Sequence, residues 1–475
     1  MTDDASLQVL ATKCFTLADQ QRFATLSGDF NPIHVDPVQA RRSISGACIV
    51  HGVHGGLWAL DRWAAETGAT AIAFKARFLK PIFLDEPIEA VWNAKSRRLL
   101  LRSGATVLAS VAPTAGKVET IADHSIATAP ARAAPANPSF EDCARSGAMP
   151  FRLHGDPGLA MPLFGTLCAA LGRSVVAEIA ALSQIVGMEQ PGLNSLFTAL
   201  HVQLRAGAAP ELPEPSYHVA SADDRFKLLN IDVRGTTLTA AIEAFYRPAP
   251  TRAPSMAAFA ARVGGQEFAG VHALVIGGSR GLGEWVAKAV AAGGGQVLIT
   301  YNVGAAEAAQ VVEEIKAWGG SAACAQWSAG QGAALPAGDA AFNQAYYFAT
   351  PRIRVERAED YAGDATDTAY DAIYVDGFEA LCAAIRSRGA KCAVYYPSTV
   401  FIDSPSAEFQ RYIDAKMRGE ALCARLNAEG SLAVIAARLP RLPTDQTLGF
   451  TTETFDDPLT VLLPWLRAMP VFTGS

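Results

Sequence analysis

At 475 residues the chain is too long for one ordinary hydrophobic core, so two or three domains are expected. Half of the residues are hydrophobic and 18% are charged, a globular composition, and the formal net charge of -6 argues against a nucleic-acid partner. The opening M-T-D-D-A-S lacks the basic and apolar regions of a signal peptide, no apolar run reaches the ~18 residues of a membrane span, and eight cysteines lie scattered without C-x-x-C or zinc spacing. A cytoplasmic protein with reduced thiols, no metal and no membrane partner is the expectation.

The first informative stretch is residues 27–36, S-G-D-F-N-P-I-H-V-D, which sets Asp29 five residues before His34 with Asn31 and Pro32 between them. Proline lacks a backbone N–H and resists helix interiors, so the segment should run as a fixed loop aiming a carboxylate and an imidazole at one point. Two such groups sharing one water suit reversible addition of water to a conjugated double bond, one taking a proton while the other delivers one. Taken alone, the same residues could equally form a turn whose Asp and Asn cap neighbouring backbone.

A short helix over residues 37–42 leads to G-A-C-I-V-H-G-V-H-G-G-L-W-A-L-D-R-W at residues 46–63. An apolar run meets a His-Gly pair and then a helical pattern with Leu57, Leu60, Asp61 and Ala64 at three- and four-residue spacing. Glycine at a helix start lets a ligand approach the outward-pointing N–H groups, which favour developing negative charge. A thioester carbonyl held near Gly52 and Val53 would have its enolate stabilised there. His51 and Asn31 are further candidates for the substrate side, although a glycine-flanked histidine such as His51 or His54 serves equally as a packing residue.

With these residues in view, S-G-D-x-N-P-x-H-x-D followed by I-V-H-G resembles the MaoC-like, (R)-specific enoyl-CoA hydratases, whose hot-dog fold wraps an antiparallel sheet around a long helix. F-L-K-P-I-F-L-D-E-P-I-E-A-V at residues 78–91 is similar to the same family. The resemblance implies that Asp29 and His34 are the catalytic pair, that the turn into the central helix is the oxyanion hole, and that the substrate is an acyl-CoA or acyl carrier protein thioester. Strands are expected at residues 71–79, 88–94, 98–103 and 106–112, the order a hot-dog half needs, giving a domain over residues 1–115. Arg97, Arg98 and Arg102 are either solvated surface or a contact for a phosphopantetheine arm or an acidic carrier.

Residues 116–146, rich in Ala, Pro, Ser and Thr, read as a linker or an extended crossing segment. Residues 147–250 repeat the order of the first half: a helical stretch at 163–188, then strand-like runs at 217–220, 228–233 and 236–246. This implies an α+β double hot-dog whose second half lacks D-x-N-P-x-H and shapes the acyl pocket, with Asn194 and Ser195 either lining it or capping a helix. A homo-oligomer is expected.

A second Ala/Pro-rich joint, residues 251–268, precedes a change of pattern over residues 269–475. V-H-A-L-V-I-G-G-S-R-G-L-G reads as a strand, a glycine turn and a helix, followed by a strand at 296–300 and a helix at 305–318. Short joints between strand and helix imply an α/β doubly wound Rossmann domain. Gly277, Gly281 and Gly283, with Ser279, Arg280 and Leu282 between them, would let the backbone approach a pyrophosphate at the helix N-terminus. The second strand ends at Thr300, Tyr301 and Asn302 with no carboxylate to hold a ribose 2′-hydroxyl, and Arg280 could pair with a 2′-phosphate, so NADP(H) is favoured over NAD. Arg280 could also be an exposed turn residue.

Ser398 stands just past the strand at 392–396, and Y-I-D-A-K sets Tyr412 and Lys416 four apart on one helix face. An ammonium beside a phenol favours phenolate, so Tyr412 could pass a proton to a carbonyl oxygen held by Ser398 as hydride reaches its carbon. Downstream of the glycine turn, this set resembles the short-chain dehydrogenases/reductases, and the resemblance implies a triad of Ser398, Tyr412 and Lys416, with Lys416 also contacting the nicotinamide ribose. The chain departs from that family at Ile276, at Y-F-A-T (residues 347–350) in place of N-N-A-G, at Pro440-Arg441, and at the helix asparagine, replaced by Asp376.

Together these readings describe a bifunctional enzyme, an NADPH-dependent 3-oxoacyl reductase joined to a 3-hydroxyacyl dehydratase, with a shared intermediate held at high local concentration. One catalytic domain with a structural or docking partner, and a non-enzymatic acyl-binding scaffold, are the alternatives.

Overall fold

Strands that alternate apolar and polar residues must cover one face, and among the described residues ten strands pair in a single antiparallel sheet. The computed structural model describes residues 7–116, 128–130, 132–205, 214–329, 335, 342–353, 368–389, 391–430, 432–447 and 454–472. Its contacts separate two compact units, one built on Met1–Ala249 and the other on Pro250–Leu448 with Thr452–Ser475.

In the first unit, β1 (Leu7–Cys14), β2 (Ala71–Phe78), β3 (Pro87–Asn93), β4 (Arg98–Ser103) and β5 (Thr106–Ala115) pair in the order β1-β3-β4-β5-β2. β6 (Met149–Pro150), β7 (Ser195–Leu204), β8 (Ser216–Asp223), β9 (Leu228–Arg234) and β10 (Leu238–Tyr246) follow as β6-β8-β9-β10-β7, which is the same order. The two halves join where β2 meets β7, antiparallel, with Ala73 opposite Gln203 and Arg77 opposite Ala199. Strand alternation turns Phe74 and Ala76 inward and Lys75 and Arg77 outward at this seam.

Three strands of this unit were not expected, among them the two-residue β6. β1 precedes the first motif, and β7 follows Gly192–Asn194 with a bulge that pairs Glu243 with Ala199 and Ala244 with Phe197, so its alternation is broken at Thr198.

Three helices carry the core of this unit. Helix α1 (Leu17–Ser27) starts at a Thr16–Asp19 capping box and ends at Gly28, whose φ of 80° a larger residue would resist. Helix α2 (Gly52–Thr67) is buried on almost every side, as the central helix of a wrapped sheet should be. The second half's helical stretch is broken at Phe164 and Gly172; its long piece, α3 (Arg173–Gln184), is equally buried and runs on into a π-helical turn at Ile185–Glu189. Leu57, Leu60 and Trp63 of α2 and Val176, Ile179 and Leu182 of α3 share one apolar core, each such side chain contributing ~1.5–3 kcal/mol.

The second unit is a parallel sheet of β11 (His272–Ile276), β12 (Gln296–Tyr301), β13 (Ser321–Gln326), β14 (Gln344–Tyr347), β15 (Ala393–Thr399) and β16 (Ala433–Leu439) in the order β13-β12-β11-β14-β15-β16. Ala273 and Val275 face one cluster while Leu274 and Ile276 face another, so the sheet is covered on both sides. Strand order reverses between β11 and β14, the switch point where doubly wound sheets leave a crevice. Helix α4 (Gly281–Ala292) follows β11, and α5 (Gln410–Ala428) follows β15.

Both expected linkers carry structure. Residues 116–146 contain the helix Phe140–Ala144, and Ala136 exchanges backbone hydrogen bonds with Met188 and Leu193; residues 117–127 and 131 lie outside the described residues. Residues 251–268 contain the helix Met256–Ala260, whose Phe259 packs edge-on against Trp285 of α4. Among the described residues no single helix is long and apolar enough to cross a membrane.

Candidate active sites

The D-F-N-P-I-H segment was expected as a loop; it instead contains a one-turn helix, Pro32–Val35. Proline is at home in the first position of a helix, where its missing N–H has no partner to lose, and Asn31 caps the turn by accepting from the Ile33 N–H at 3.1 Å. That turn swings His34 back over Asp29. One carboxylate oxygen of Asp29 and one ring nitrogen each of His34 and His51 fall within 4.8 Å of one another.

Asp29 is buried. Its Oδ2 accepts from Ser183 Oγ at 2.6 Å and its Oδ1 from the Asn31 N–H at 3.1 Å. Burial outweighs both donors and raises its pKa from 3.8 to about 6. His34 Nδ1 lies 2.8 Å from the carbonyl of Ile49, which can only accept, so Nδ1 carries the hydrogen and Nε2 presents a lone pair. Burial lowers the pKa of this ring to about 4. His51 stacks on it at 3.9 Å, between Gln20 Oε1 and the carbonyl of Asp29 at 2.9 and 3.0 Å. His54 is also buried, stacked on Phe23.

Both catalytic candidates open into one cleft, whose apolar wall includes Ile33, Val50, Phe78, Ile82, Val186 and Phe197. Gly52, at the start of α2, lines it beside them; Val53 is buried behind. The second half contributes more than a wall. Ser183 comes from α3, and Gly187 from the π turn, where a Cβ would stand 2.1 Å from Asp29 Oδ1. The side-chain amide of Asn31 donates to the carbonyls of Gly187 at 2.8 Å and Gly192 at 3.1 Å, tying the D-F-N-P-I-H segment to that half. Ser195 lines the cleft, whereas Asn194 donates to Asn137. Sequence reasoning missed Ser183 and Gly187; their signal was a serine and a glycine inside a mostly apolar helical run, A-A-L-S-Q-I-V-G-M-E.

The glycine turn of the second unit combines positive φ, open space and close backbone approach. Gly277 and Gly281 have φ of 74° and 58°; a Cβ on Gly281 would meet nothing within 4 Å, whereas one on Gly283 would strike the Gly277 carbonyl at 2.3 Å. Gly283 thus keeps helix and turn in contact while Gly281 leaves open space. Ser279 and Leu282 belong to the same turn, and Tyr301 ends β12 with Asn302 directly after it. Arg280, expected either to meet a phosphate or to be exposed, bonds Asp445 at 3.0 Å.

The three residues of the expected triad are differently engaged. Ser398 Oγ donates to Glu420 at 2.6 Å, and Glu420 is clamped by Arg438. The hydroxyl that meets the Tyr412 phenol belongs to Thr399. Lys416 is buried, donates to the carbonyl of Pro397 at 2.7 Å and lies 3.8 Å from the centre of the Tyr374 ring but 5.9 Å from that of Tyr412. The ammonium therefore does not depress the phenol as expected: burial pushes Tyr412 up to about 12 and Lys416 down to about 7. In place of the expected Asp376, it is Tyr374, from the π-helical turn Ala372–Asp376, that reaches Lys416; its hydroxyl is 2.6 Å from that of Thr350 in Y-F-A-T.

Residues 5–106 match the family model described as MaoC like domain, and this part of the chain is a MaoC-like domain. No curated protein matches the chain. Among solved structures, similarity extends to the FolM alternative dihydrofolate reductase 1 of Brucella suis in complex with NADP, 19% identical over 37% of this chain and 75% of that one, with a TM-score of 0.34. A short chain dehydrogenase of Burkholderia cenocepacia in complex with NADP is 24% identical over 38% and 78%, with a TM-score of 0.34. A short-chain type dehydrogenase/reductase of Mycobacterium ulcerans is 19% identical over 37% and 69%, again at 0.34.

Proposed function

We propose that the first unit is an enoyl-thioester hydratase/dehydratase acting on an acyl-CoA or acyl carrier protein thioester, and that the second is an NADP-dependent 3-oxoacyl reductase. The observation that carries the first half is the Asp29–His34 pair, facing each other across the floor of an apolar cleft. On this reading the second half of the ten-stranded sheet is a second hot-dog half that has given up its own acid–imidazole pair and shapes the acyl pocket.

The two pKa shifts divide the labour. A water between the two groups donates one hydrogen to ionised Asp29 and one to the His34 Nε2 lone pair. As its oxygen attacks C3 of the enoyl thioester, a proton must be held by one group. Burial makes neutral, protonated Asp29 cheap and cationic His34 expensive, so Asp29 takes the proton and returns it to C2 while His34 orients the water. The first-turn N–H groups at Gly52 and Val53 receive the enolate oxygen. Dehydration is the reverse.

In the second unit, Gly277, Ser279, Gly281 and Gly283 would hold the pyrophosphate of a dinucleotide, with Arg280, Tyr301 and Asn302 toward its ribose. The bound nicotinamide supplies the hydride. Tyr412, paired with Thr399, stands as proton donor to the ketone oxygen, and Lys416 holds the ground beneath Tyr374. A second reading, hydratase only with a nucleotide-binding companion, is favoured by the engagement of Ser398 with Glu420 and of Arg280 with Asp445.

One experiment separates them. The full chain is given crotonyl-CoA without cofactor, and acetoacetyl-CoA with NADPH, with products followed by mass spectrometry. The bifunctional reading expects hydration in the first and reduction followed by loss of water in the second. Hydration with no NADPH consumption over a panel of 3-oxoacyl thioesters supports the second reading, and no turnover in either defeats both.

A further inference from the structure

Arg247 is a charged residue buried without a countercharge. It follows β10 directly, only 6% of its surface is exposed, and among the described residues no carboxylate pairs with it. Its Nε donates to the carbonyl of Ser195 and its Nη2 to that of Leu193, each at 2.7 Å, and its own N–H donates to Asn194 O at 2.6 Å. The turn it grips, Gly192–Ser195, is the one from which Asn31 is suspended, with Asn31 Nδ2 reaching Gly192 O at 3.1 Å and Leu193 O at 3.5 Å. Ser195 and its neighbour Leu196 line the cleft.

Two backbone carbonyls can be satisfied by a neutral amide, so hydrogen bonding alone does not account for a guanidinium here. Removing an unpaired cation from water is costly, and burial holds this one down to about 10, still charged at neutral pH. A charge kept at such cost beside an acid–imidazole pair acts on that pair. Its positive field opposes a second positive charge on His34, and it favours the negative charge that builds on an enolate.

We propose that Arg247, supplied by the second half of the sheet, is a positioning residue of the hydratase site: it fixes the turn that anchors Asn31, and its charge keeps the cleft hospitable to anions and His34 an acceptor. This rests on the hydratase reading above. His34 is also faced by Asp29 from its own segment, by His51 just before α2 and His54 within it, and by Lys80 of the cleft lining, with Asp36 two residues on. These groups stay in place when Arg247 alone is changed.

The test compares Arg247→Lys, which keeps the charge, with Arg247→Gln, which keeps a donor without it, both in the full chain. Crotonyl-CoA hydration gives kcat and KM, and the ring resonances of His34, assigned with His34→Gln, give its titration midpoint. Arg247→Gln is expected to lower kcat by roughly tenfold to a hundredfold with KM little changed, and to raise the His34 midpoint by about one pH unit. Arg247→Lys should retain most of the rate and the midpoint. Equal losses in both variants with an unmoved midpoint would make Arg247 a structural brace and overturn the proposal, as would full activity in Arg247→Gln. If the unaltered chain hydrates no enoyl thioester, the hydratase reading fails; the midpoint comparison still decides whether the charge acts on His34.

Discussion

Asp29 carries opposite consequences for stability and for activity. Its folded pKa, about 6, lies above the 3.8 of the exposed group, so folding binds a proton more tightly than the unfolded chain does. The stabilisation this brings is complete below pH 3.8 and is lost as pH rises through 6; holding the carboxylate ionised at pH 7 then costs on the order of 3 kcal/mol. Asp29→Asn should therefore melt higher at pH 7 and show little gain at pH 4, while hydration falls by about a thousandfold or more. A calorimetric melt at both pH values checks the first half of that statement. Gly187→Ala is expected to lower hydration as well, by a steric route. Alanine favours a helix by ~1 kcal/mol, yet its Cβ would stand 2.1 Å from Asp29 Oδ1, so the carboxylate must turn away and hydration should drop by roughly a hundredfold. A crotonyl-CoA assay beside a circular-dichroism melt separates rate from fold. Asp29 and His34 were legible in the sequence because they share one short segment with a proline. Ser183, Gly187 and Arg247 were not, because each sits more than 150 residues after Asp29 and reaches Asp29, or the turn that holds Asn31, only once the sheet has formed.

The elements of the second unit show where periodicity stops informing. Strand–turn–helix at β11 and α4 was readable because apolar runs and glycines are local signals. Which residue of α5 each of two adjacent hydroxyls at the end of β15 meets was not readable, since both partners, Tyr412 and Glu420, stand on that one helix and only the packing of strand against helix assigns them. Thr399 meets Tyr412, and Ser398 meets Glu420. Thr399→Val should thus lower ketone reduction by roughly a hundredfold, and Ser398→Ala by only a few-fold, measured as NADPH oxidation with acetoacetyl-CoA. The reverse ranking would restore Ser398 to the catalytic set. Similarly, a lysine four residues after a tyrosine was expected to tune the phenol, but the aromatic ring that reaches its ammonium comes from a different element, the π-helical turn at Ala372–Asp376.

At the scale of the first unit, the seam between β2 and β7 decides what can stand alone. Residues 1–116 contain the D-F-N-P-I-H segment and α2, but without β7 the edge of β2 bares a row of N–H and C=O groups and the cleft loses Ser183 and Phe197. Expressed separately, this fragment should associate through β2 or precipitate and should hydrate no crotonyl-CoA, which size-exclusion chromatography and an activity assay would register. A soluble, active, monomeric fragment would count against any role for the second half. The outer edges are better guarded: β6 is two residues long and ends in Pro150, and β1 carries a bulge near Val9. The repeated strand order within one polypeptide has a historical corollary. Where a sheet is completed by an identical copy of the same chain, every change made to improve a pocket wall is also imposed on the catalytic wall. Tandem halves are released from that symmetry, so one could keep Asp29 and His34 while its twin drifted toward Ser183, Gly187 and Arg247, each free to specialise without spoiling the other.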